Sequence, residues 1–440
     1  GGELLENAGH LHHLLAMYEL QRKFSSFTQV MEDVLISIEF PLIPVLAAME
    51  LNGISIDRKK FNEVKGQYRK ITNTLERDII EISGEQFNVD SPKQLSSILF
   101  NKLGLPILKK TKTGASTNSA TLKALMNEAT EKSTIQLLEK VLKYREVKKI
   151  LSTYLEGFVK HITAETGKIH TTYLQGATST GRLSSENPNL QNLPIKTETG
   201  SIMRSLFVPS REGDLLLSLD YSQIELRILA HLTQDDALVE AFKLDKDIHI
   251  ITAAKILSLP LDRIGQKERA IGKTINFGIM YGMGPYHLSQ TIGISIKEAV
   301  DFIDSYYREY VGVKEFQDHL IAEGEKTGHV ETFFHRKRYV PELLSSEHNV
   351  HASGVRVAIN APIQGTASEI VKLAMIKIAE GMHPEIRMLL QIHDELVFEG
   401  PEEVIKQQAP AIAELMEGIV DFSVPLKVDH AFGSDLLEIH

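Results

Sequence analysis

Two kinds of hydrophobic spacing alternate along this chain. Leu-Leu-Leu-Ser-Leu at 215–219 is a nearly unbroken apolar run that stops at Asp220, and Leu-Leu-Gln-Ile-His-Asp-Glu-Leu-Val-Phe-Glu at 389–399 sets Asp394 between two apolar halves. Short runs of this type predict buried strands, the second pair being the arms of a hairpin. Between them, 266–282 has helical spacing: Arg269, Lys273, Phe277 and Tyr281 recur at i+4. Each such step drifts by only about 40° on an α-helix, so the four share one slowly turning stripe. Elsewhere, 1–38 reads as one or two helices with apolar spacing at Leu11, Leu14, Leu15 and Tyr18. Long helical patterns fill 57–160, strand-like runs and loops fill 161–224, and 225–350 is mostly helical. Residues 351–440 give a helix, the 388–399 hairpin and a tail, and the chain shows no internal repeat or low-complexity tract.

The chemistry lies where these patterns break. A carboxylate at the tip of a buried strand is poorly solvated and costly unless a cation joins it. Two such tips, Asp220 and Asp394, suggest a shared divalent-metal site of the kind used for in-line phosphoryl transfer. Taken singly, each is as readily an unrelated strand end bearing a surface acid. The stripe between them changes that balance, because two cations followed by two aromatics fit a nucleotide, with cations on the phosphates and rings against base and sugar. The competing reading is a helix with a wet basic end and a packed aromatic end.

Composition narrows the class. A chain of 440 residues exceeds one compact core, so two or three subdomains are expected. There is no unbroken apolar run of membrane length and no signal-peptide pattern, so neither insertion nor secretion is supported. Zero cysteines exclude disulfides, thiolate catalysis and Cys-ligated zinc. The formal net charge of −10 suits a nucleic-acid binder only if charge is unevenly spread. It is: between Arg58 and Lys160 there are about 20 Lys/Arg against about 11 Asp/Glu. Lys109, Lys110 and Lys112 lie in a basic stretch suited to a phosphate backbone, although a solvated helical surface has the same composition.

Three segments, 215–225, 266–282 and 389–399, resemble motifs A, B and C of the family A DNA polymerases. Thr-Gly-Arg-Leu-Ser-Ser-Glu-Asn-Pro-Asn-Leu-Gln-Asn-Leu-Pro (180–194), Arg-Val-Ala-Ile-Asn-Ala-Pro-Ile-Gln-Gly-Thr-Ala (356–367) and Ser-Pro-Lys-Gln-Leu-Ser-Ser-Ile-Leu-Phe (91–100) support the likeness. It runs in order from about Glu39 to the C-terminus. It implies an α+β right-hand polymerase fold with an antiparallel-sheet palm, helical fingers and a helical thumb. The implied divisions are 1–38, the remnant of a 3′–5′ exonuclease-like domain; 39–56, leading into the palm; 57–160, thumb; 161–224, palm with motif A; 225–350, fingers with motif B; and 351–440, palm with motif C. The family's exonuclease carries a Tyr-x-x-x-Asp signature near the first of these, where this chain has Glu3-Leu4-Leu5-Glu6-Asn7. Neither proofreading nor 5′-nuclease activity is therefore expected of it. The family tail often holds a tryptophan, and Gly433-Ser434-Asp435-Leu436 has none, which puts the tail packing in question.

The resemblance also implies roles. Asp220 and Asp394 would bridge two Mg²⁺ ions, with Mn²⁺ as a substitute. The Tyr221 carbonyl would be a further ligand and Glu395 an adjacent tuning group. Arg269 and Lys273 would hold the triphosphate, Lys273 also serving as a candidate proton donor to pyrophosphate. His249 and Gln223 match positions near the nucleotide, against the alternative that His249 is a surface helical residue. Glu225, with Tyr281, would be a steric gate against a ribose 2′-OH. Phe277 lacks the hydroxyl that could stand in for a missing 3′-OH, so dideoxynucleotides should be poor substrates. Tyr281 and Gly282 would abut the templating base. Arg182, Asn360 and Gln364 would read minor-groove acceptors common to all base pairs, with helix capping or core amide bonding as the alternative for the last two. Arg356, Asn189, Gln191 and the turn residue His393 complete the DNA-contact set.

These features point to a template-directed DNA polymerase that extends a primer 3′-OH with deoxynucleotides, acting in repair or replication. Its partners would be primer-template DNA and dNTPs, with no membrane. The protein is expected to be a monomer in the cytoplasm, nucleoid-associated if bacterial. Two rivals stay open: a single-subunit RNA polymerase, against which Glu225 argues, and a catalytically silent DNA-binding protein, against which both aspartates argue.

Overall fold

The computed structural model describes residues 29–111, 114–194 and 198–440, without the side chains of 29–31, 198 and 199. The expectations for the terminal helices, for Glu3–Asn7 and for Lys112 lie outside the described residues. The chain divides into two compact units. One comprises the chain through Asn52, Tyr173–Glu186 and Gly213–Phe432; the other comprises Gly53–Thr172, Asn187–Glu212 and Gly433–His440.

The second unit is mainly helical. A long helix, Arg58–Ser83, is started by Asp57, whose side chain accepts from the Lys60 amide at 2.9 Å, and is stopped by Gly84 in the left-handed region. It packs against Lys132–Lys149 around a core that includes Ile79, Leu99, Leu122, Leu138 and Val141. Ser91 caps the short helix Pro92–Ser96. Near it, a ribbon pairs Lys110 with Ala115 and Thr111 with Gly114. The Pro92 helix and the ribbon border a cavity of about 600 Å³ with Arg145 in its wall. Where the family often has tryptophan, Leu436 fills the place: it is fully buried, and its amide donates to Phe207 O at 2.9 Å.

The first unit holds the predicted strands. Its elements, in chain order, are α1 (Phe40–Asn52), β1 (Asp214–Tyr221), α2 (Ile224–Thr233), α3 (Ile248–Ile256), α4 (Gln266–Met280), α5 (His348–Gly381), β2 (Arg387–Ile392), β3 (Glu395–Pro401), α6 (Glu402–Glu417) and β4 (Val428–Gly433). The strands form one sheet in the order β2–β3–β1–β4. β3 runs antiparallel to both β2 and β1, opposing Leu396 to Leu219, Phe398 to Leu217 and Glu395 to Asp220. Successive residues Leu216, Leu217, Ser218 and Leu219 are all buried, so both faces of β1 are covered, which is why its sequence reads as a continuous run rather than an alternation. Helices α1 and α6 pack on this sheet.

The run Glu32–Asn52 is long and apolar enough to cross a membrane by length and composition, although Asp33, Glu39 and Glu50 interrupt it. Leu42, Val45, Leu46 and Met49 nevertheless belong to the main core. Glu39, in the π-helical turn before α1, accepts from Lys372 Nζ at 2.7 Å and Arg336 Nη2 at 2.5 Å. Burial raises the Glu39 carboxyl, and Lys372 and Arg336 more than reverse this, holding it below the usual range. A helix so tied is a core helix of the first unit.

Helices α3 and α4 meet at Gly272. A Cβ there would lie 2.1 Å from the His249 carbonyl oxygen and 3.0 Å from the Ala253 Cβ. The glycine is thus required by close approach. Gly272→Ala should force the two helices apart and lower stability by about 1–3 kcal/mol, the range for overpacking a filled core. Chemical denaturation of the two proteins side by side measures this difference.

Candidate active site

Asp220 and Asp394 reach one place because β1 and β3 are neighbours that end together. Asp394 occupies the turn between β2 and β3, and its carbonyl accepts from the Tyr221 amide at 3.4 Å. His393 adopts a left-handed conformation at this turn, and its carbonyl accepts from Gln391 Nε2. His393 therefore shapes the hairpin tip. Asp220 is open to solvent on one side and crowded on the others. Desolvation, then Asp394 and Asp429, push its carboxyl up to about 7. Burial also raises Asp394, against partial relief from Arg182 and His393. Two carboxylates held in this way favour an added cation. Among the described residues no cluster of three or more His, Cys, Asp or Glu forms a closed metal cage. The donor set is thus a pair of hard oxygen ligands that leaves coordination positions for substrate and water, which suits Mg²⁺. Glu395 points elsewhere: it is buried and accepts from Ser218 Oγ on the paired strand.

The connection from β1 to α2 is a tight elbow. Gln223 has φ of 54° and precedes α2, its Oε1 buried without a hydrogen-bond partner. This elbow turns the chain so that Glu225 falls in the first turn of α2, buried. The Glu225 carboxylate accepts from Tyr281 Oη and from Arg182 Nη2. Burial raises the Glu225 carboxyl, against the opposing influence of Tyr281 and Arg182. Burial and the adjacent Glu225 carboxylate raise the Tyr281 phenol. Glu225 and Tyr281 are therefore hydrogen-bonded to each other, with Arg182 joining them from another part of the chain.

The predicted stripe occupies α4 and its C-terminal end. Phe277 and Tyr281 stack with centroids 6.2 Å apart, and Lys273 Nζ lies 5.9 Å from the centre of the Phe277 ring. Arg269 Nε donates to Asp247 Oδ2 at 2.7 Å, while Asp247 Oδ1 caps α3 by accepting from His249 and Ile250. Burial raises the Asp247 carboxyl, but the Arg269 bond and the two capped amides outweigh it, leaving it lowered. Asp247 was missed, although an acid at a helix start, two residues before a histidine, is a readable cap signal. His249 is not on the surface: it is 2% exposed, lies 3.0 Å from Asn276 Nδ2 and 5.7 Å from the Phe277 ring centre. Burial lowers its imidazole to about 4, so it is neutral at pH 7.

The DNA-contact candidates divide between the units. Asn360 Nδ2 donates to the Tyr281 carbonyl at 3.3 Å, and its Oδ1 is buried without a partner. This bond is of the internal kind that the alternative reading of Asn360 expects, and it lies at the C-terminal end of α4. Gly282, with φ of 70°, packs against Arg356, whose Cγ would be 3.2 Å from an added Cβ. Gln364 is half-buried on α5 and Arg356 is exposed. Asn189, Gln191, Lys109 and Lys110 belong to the other unit, where the two lysines and Asn189 are exposed.

The description "DNA polymerase family A" fits residues 58–438. The DNA polymerase I of Geobacillus stearothermophilus is 43% identical over 405 residues, covering 91% of this chain and 46% of the relative. That of Pseudomonas aeruginosa is 42% identical over 428 residues, covering 97% and 46%. This chain thus spans less than half the length of these relatives. The POL domain of Pol1 from M. smegmatis, solved in complex with DNA primer-template and dNTP, superposes with a TM-score of 0.84 at 35% identity, over 92% of this chain and 71% of that one. The order of motifs, the sheet that brings Asp220 to Asp394 and the family match over residues 58–438 agree: the chain belongs to DNA polymerase family A.

Proposed function

We propose that the chain is a template-directed DNA polymerase that adds deoxynucleotides to a primer 3′-OH and releases pyrophosphate. The observation that carries this reading is the Glu225–Tyr281 hydrogen bond. It joins the strand tip at Asp220, five residues before Glu225 along the elbow, to the cationic and aromatic stripe of α4 within a single site. In this reading residues 161–224 and 351–440 are palm, residues 225–350, all in the first unit, are fingers, and residues 57–160, all in the second unit, are thumb. The primer-template and dNTP named for the M. smegmatis domain are the partners this chain would take.

Asp220 and Asp394 would hold two Mg²⁺ ions, with the Tyr221 carbonyl as a further ligand and Mn²⁺ as a substitute. When bound, such ions lower the pKa of the attacking hydroxyl and neutralise the leaving pyrophosphate. The remaining work falls to side chains. Arg269, held at a fixed angle by Asp247, and Lys273 grip the triphosphate and stabilise charge moving onto the leaving group. Phe277 packs against the nucleotide, with His249 supporting its ring from behind. Glu225 fills the space a 2′-OH would need, and Tyr281 holds it there. Arg182, Asn360 and Gln364 donate to purine N3 and pyrimidine O2. The cavity by Ser91 and Arg145 and the exposed Lys109 and Lys110 suit a duplex backbone.

Asp220→Ala should reduce incorporation by about a hundredfold or more, the scale for losing transition-state charge stabilisation. Because the change removes one of two repelling carboxylates, the thermal midpoint should not fall. Single-turnover primer extension with Mg²⁺, paired with a melting curve, checks both, and an undiminished rate refutes the metal role. Glu225→Ala should raise ribonucleotide use relative to deoxynucleotides by about 10–200-fold, the worth of one steric contact in a pocket. Equal discrimination by parent and variant in competitive extension would sink the gate, and a parent preferring rNTPs would favour the RNA polymerase reading.

A further inference from the structure

The loop that carries Arg182 rests on groups for which the proposed reaction has no direct use. At one end of the loop, Gln175 Nε2 donates to Glu39 O at 3.0 Å and to its Oε2 at 2.7 Å. At the other, Ser368 Oγ on α5 donates to Gly181 O at 2.8 Å. Gly181 has φ of 79°, and a Cβ built there would lie 3.3 Å from Arg336 Nε and 3.4 Å from Arg336 Cδ. The Arg336 side chain therefore lies against the bare Cα of the residue before Arg182.

Arg336 is itself fixed. Its Nε donates to Glu369 Oε1 at 2.7 Å and its Nη2 to Glu39 Oε1 at 2.5 Å, and the same Glu39 oxygen accepts from Lys372 Nζ at 2.7 Å. The side chains of Glu369 and Lys372 are 0% and 1% exposed. Buried charges persist only when paired in good geometry, and such pairing leaves little freedom to move. Lys372 also borders the small cleft that contains Arg182 and Asp394. The network thus lies directly beneath the site.

We infer that Arg336, clamped between Glu39 and Glu369, is a positioning residue that aims Arg182 at the minor-groove acceptor of the primer-terminal base pair. The inference rests on the reading of Arg182 as a minor-groove donor. Arginine is needed here for its shape. A planar fork can hold two carboxylates and still lie flat against Gly181, whereas a lysine ammonium is a point charge on a flexible stem. Arg336→Lys therefore keeps the charge and removes the aim.

The test uses the full chain with Mg²⁺, dNTPs and two primers, ending in guanine or in 3-deazaguanine, which lacks the N3 acceptor. The parent should extend the deaza primer about tenfold more slowly, the worth of one hydrogen bond to a charged group, and Arg182→Ala should abolish that penalty. Arg336→Lys should extend the natural primer about tenfold more slowly and shrink the penalty below about twofold, because a hydrogen bond already misaimed cannot be lost again. Gly181→Ala probes the same contact from the other side and should do likewise, so the outcome does not depend on Arg336→Lys folding. A penalty kept at full size in slowed Arg336→Lys or Gly181→Ala protein would make the network merely structural and overturn the inference. A penalty kept in Arg182→Ala would refute the minor-groove reading, and the inference would fall with it.

Discussion

Repulsion between Asp220 and Asp394 is the constraint around which the first unit is built. Two carboxylates left to themselves would separate or share a proton, and the Asp220 carboxyl is raised first by burial and then by Asp394 and Asp429. They stay together because each belongs to the end of a buried strand whose partners leave no alternative register. Sliding β3 by one residue along β1 would put Leu396, Val397 and Phe398, all fully buried, each into packing shaped for its neighbour. The apolar core thus sustains an electrostatic cost at the tip. The site is assembled under strain before any ligand arrives, a common property of sites that work by charge.

The same logic extends outward in alternating layers of charge. Glu225 lies between Arg182 and Tyr281, Asp247 between the cap of α3 and Arg269, and Arg336 between two acids. The neutral His249 ring fits this scheme, since a charged imidazole beside Arg269 and Lys273 would oppose both.

The local features were legible in the sequence. The apolar runs of β1, β2 and β3 announced strands because both faces of the sheet are covered. The i+4 spacing of Arg269 through Tyr281 announced the stripe because a single helix carries it. What escaped was long-range. Glu39 and Arg336 are 297 positions apart and touch, and no periodicity links them. Buried charge also resists sequence reading: Lys372 and Glu369 look like solvated helix residues until α1 and the strand His329–Glu331, which pairs with Lys337–Tyr339, pack against α5. The surface alternative for His249 fails in the same way, since a histidine at a helix start gives no sign that Gly272 lets a neighbouring helix close over it. Asp33, Glu39 and Glu50 interrupt the apolar stretch Glu32–Asn52, so it is membrane-length without holding an unbroken run.

The elbow at Gln223 has an evolutionary consequence. From Asp220 to Glu225 the chain passes from strand to helix with one left-handed residue and no loop, so there is no slack into which a residue could be inserted or from which one could be deleted. The group assigned to the reaction and the group assigned to sugar choice are thus parts of one rigid piece. Lineages of this fold can diversify readily at the periphery, where loops absorb change. At this turn only side-chain replacement is open to them, and a change of substrate must be made without lengthening the backbone.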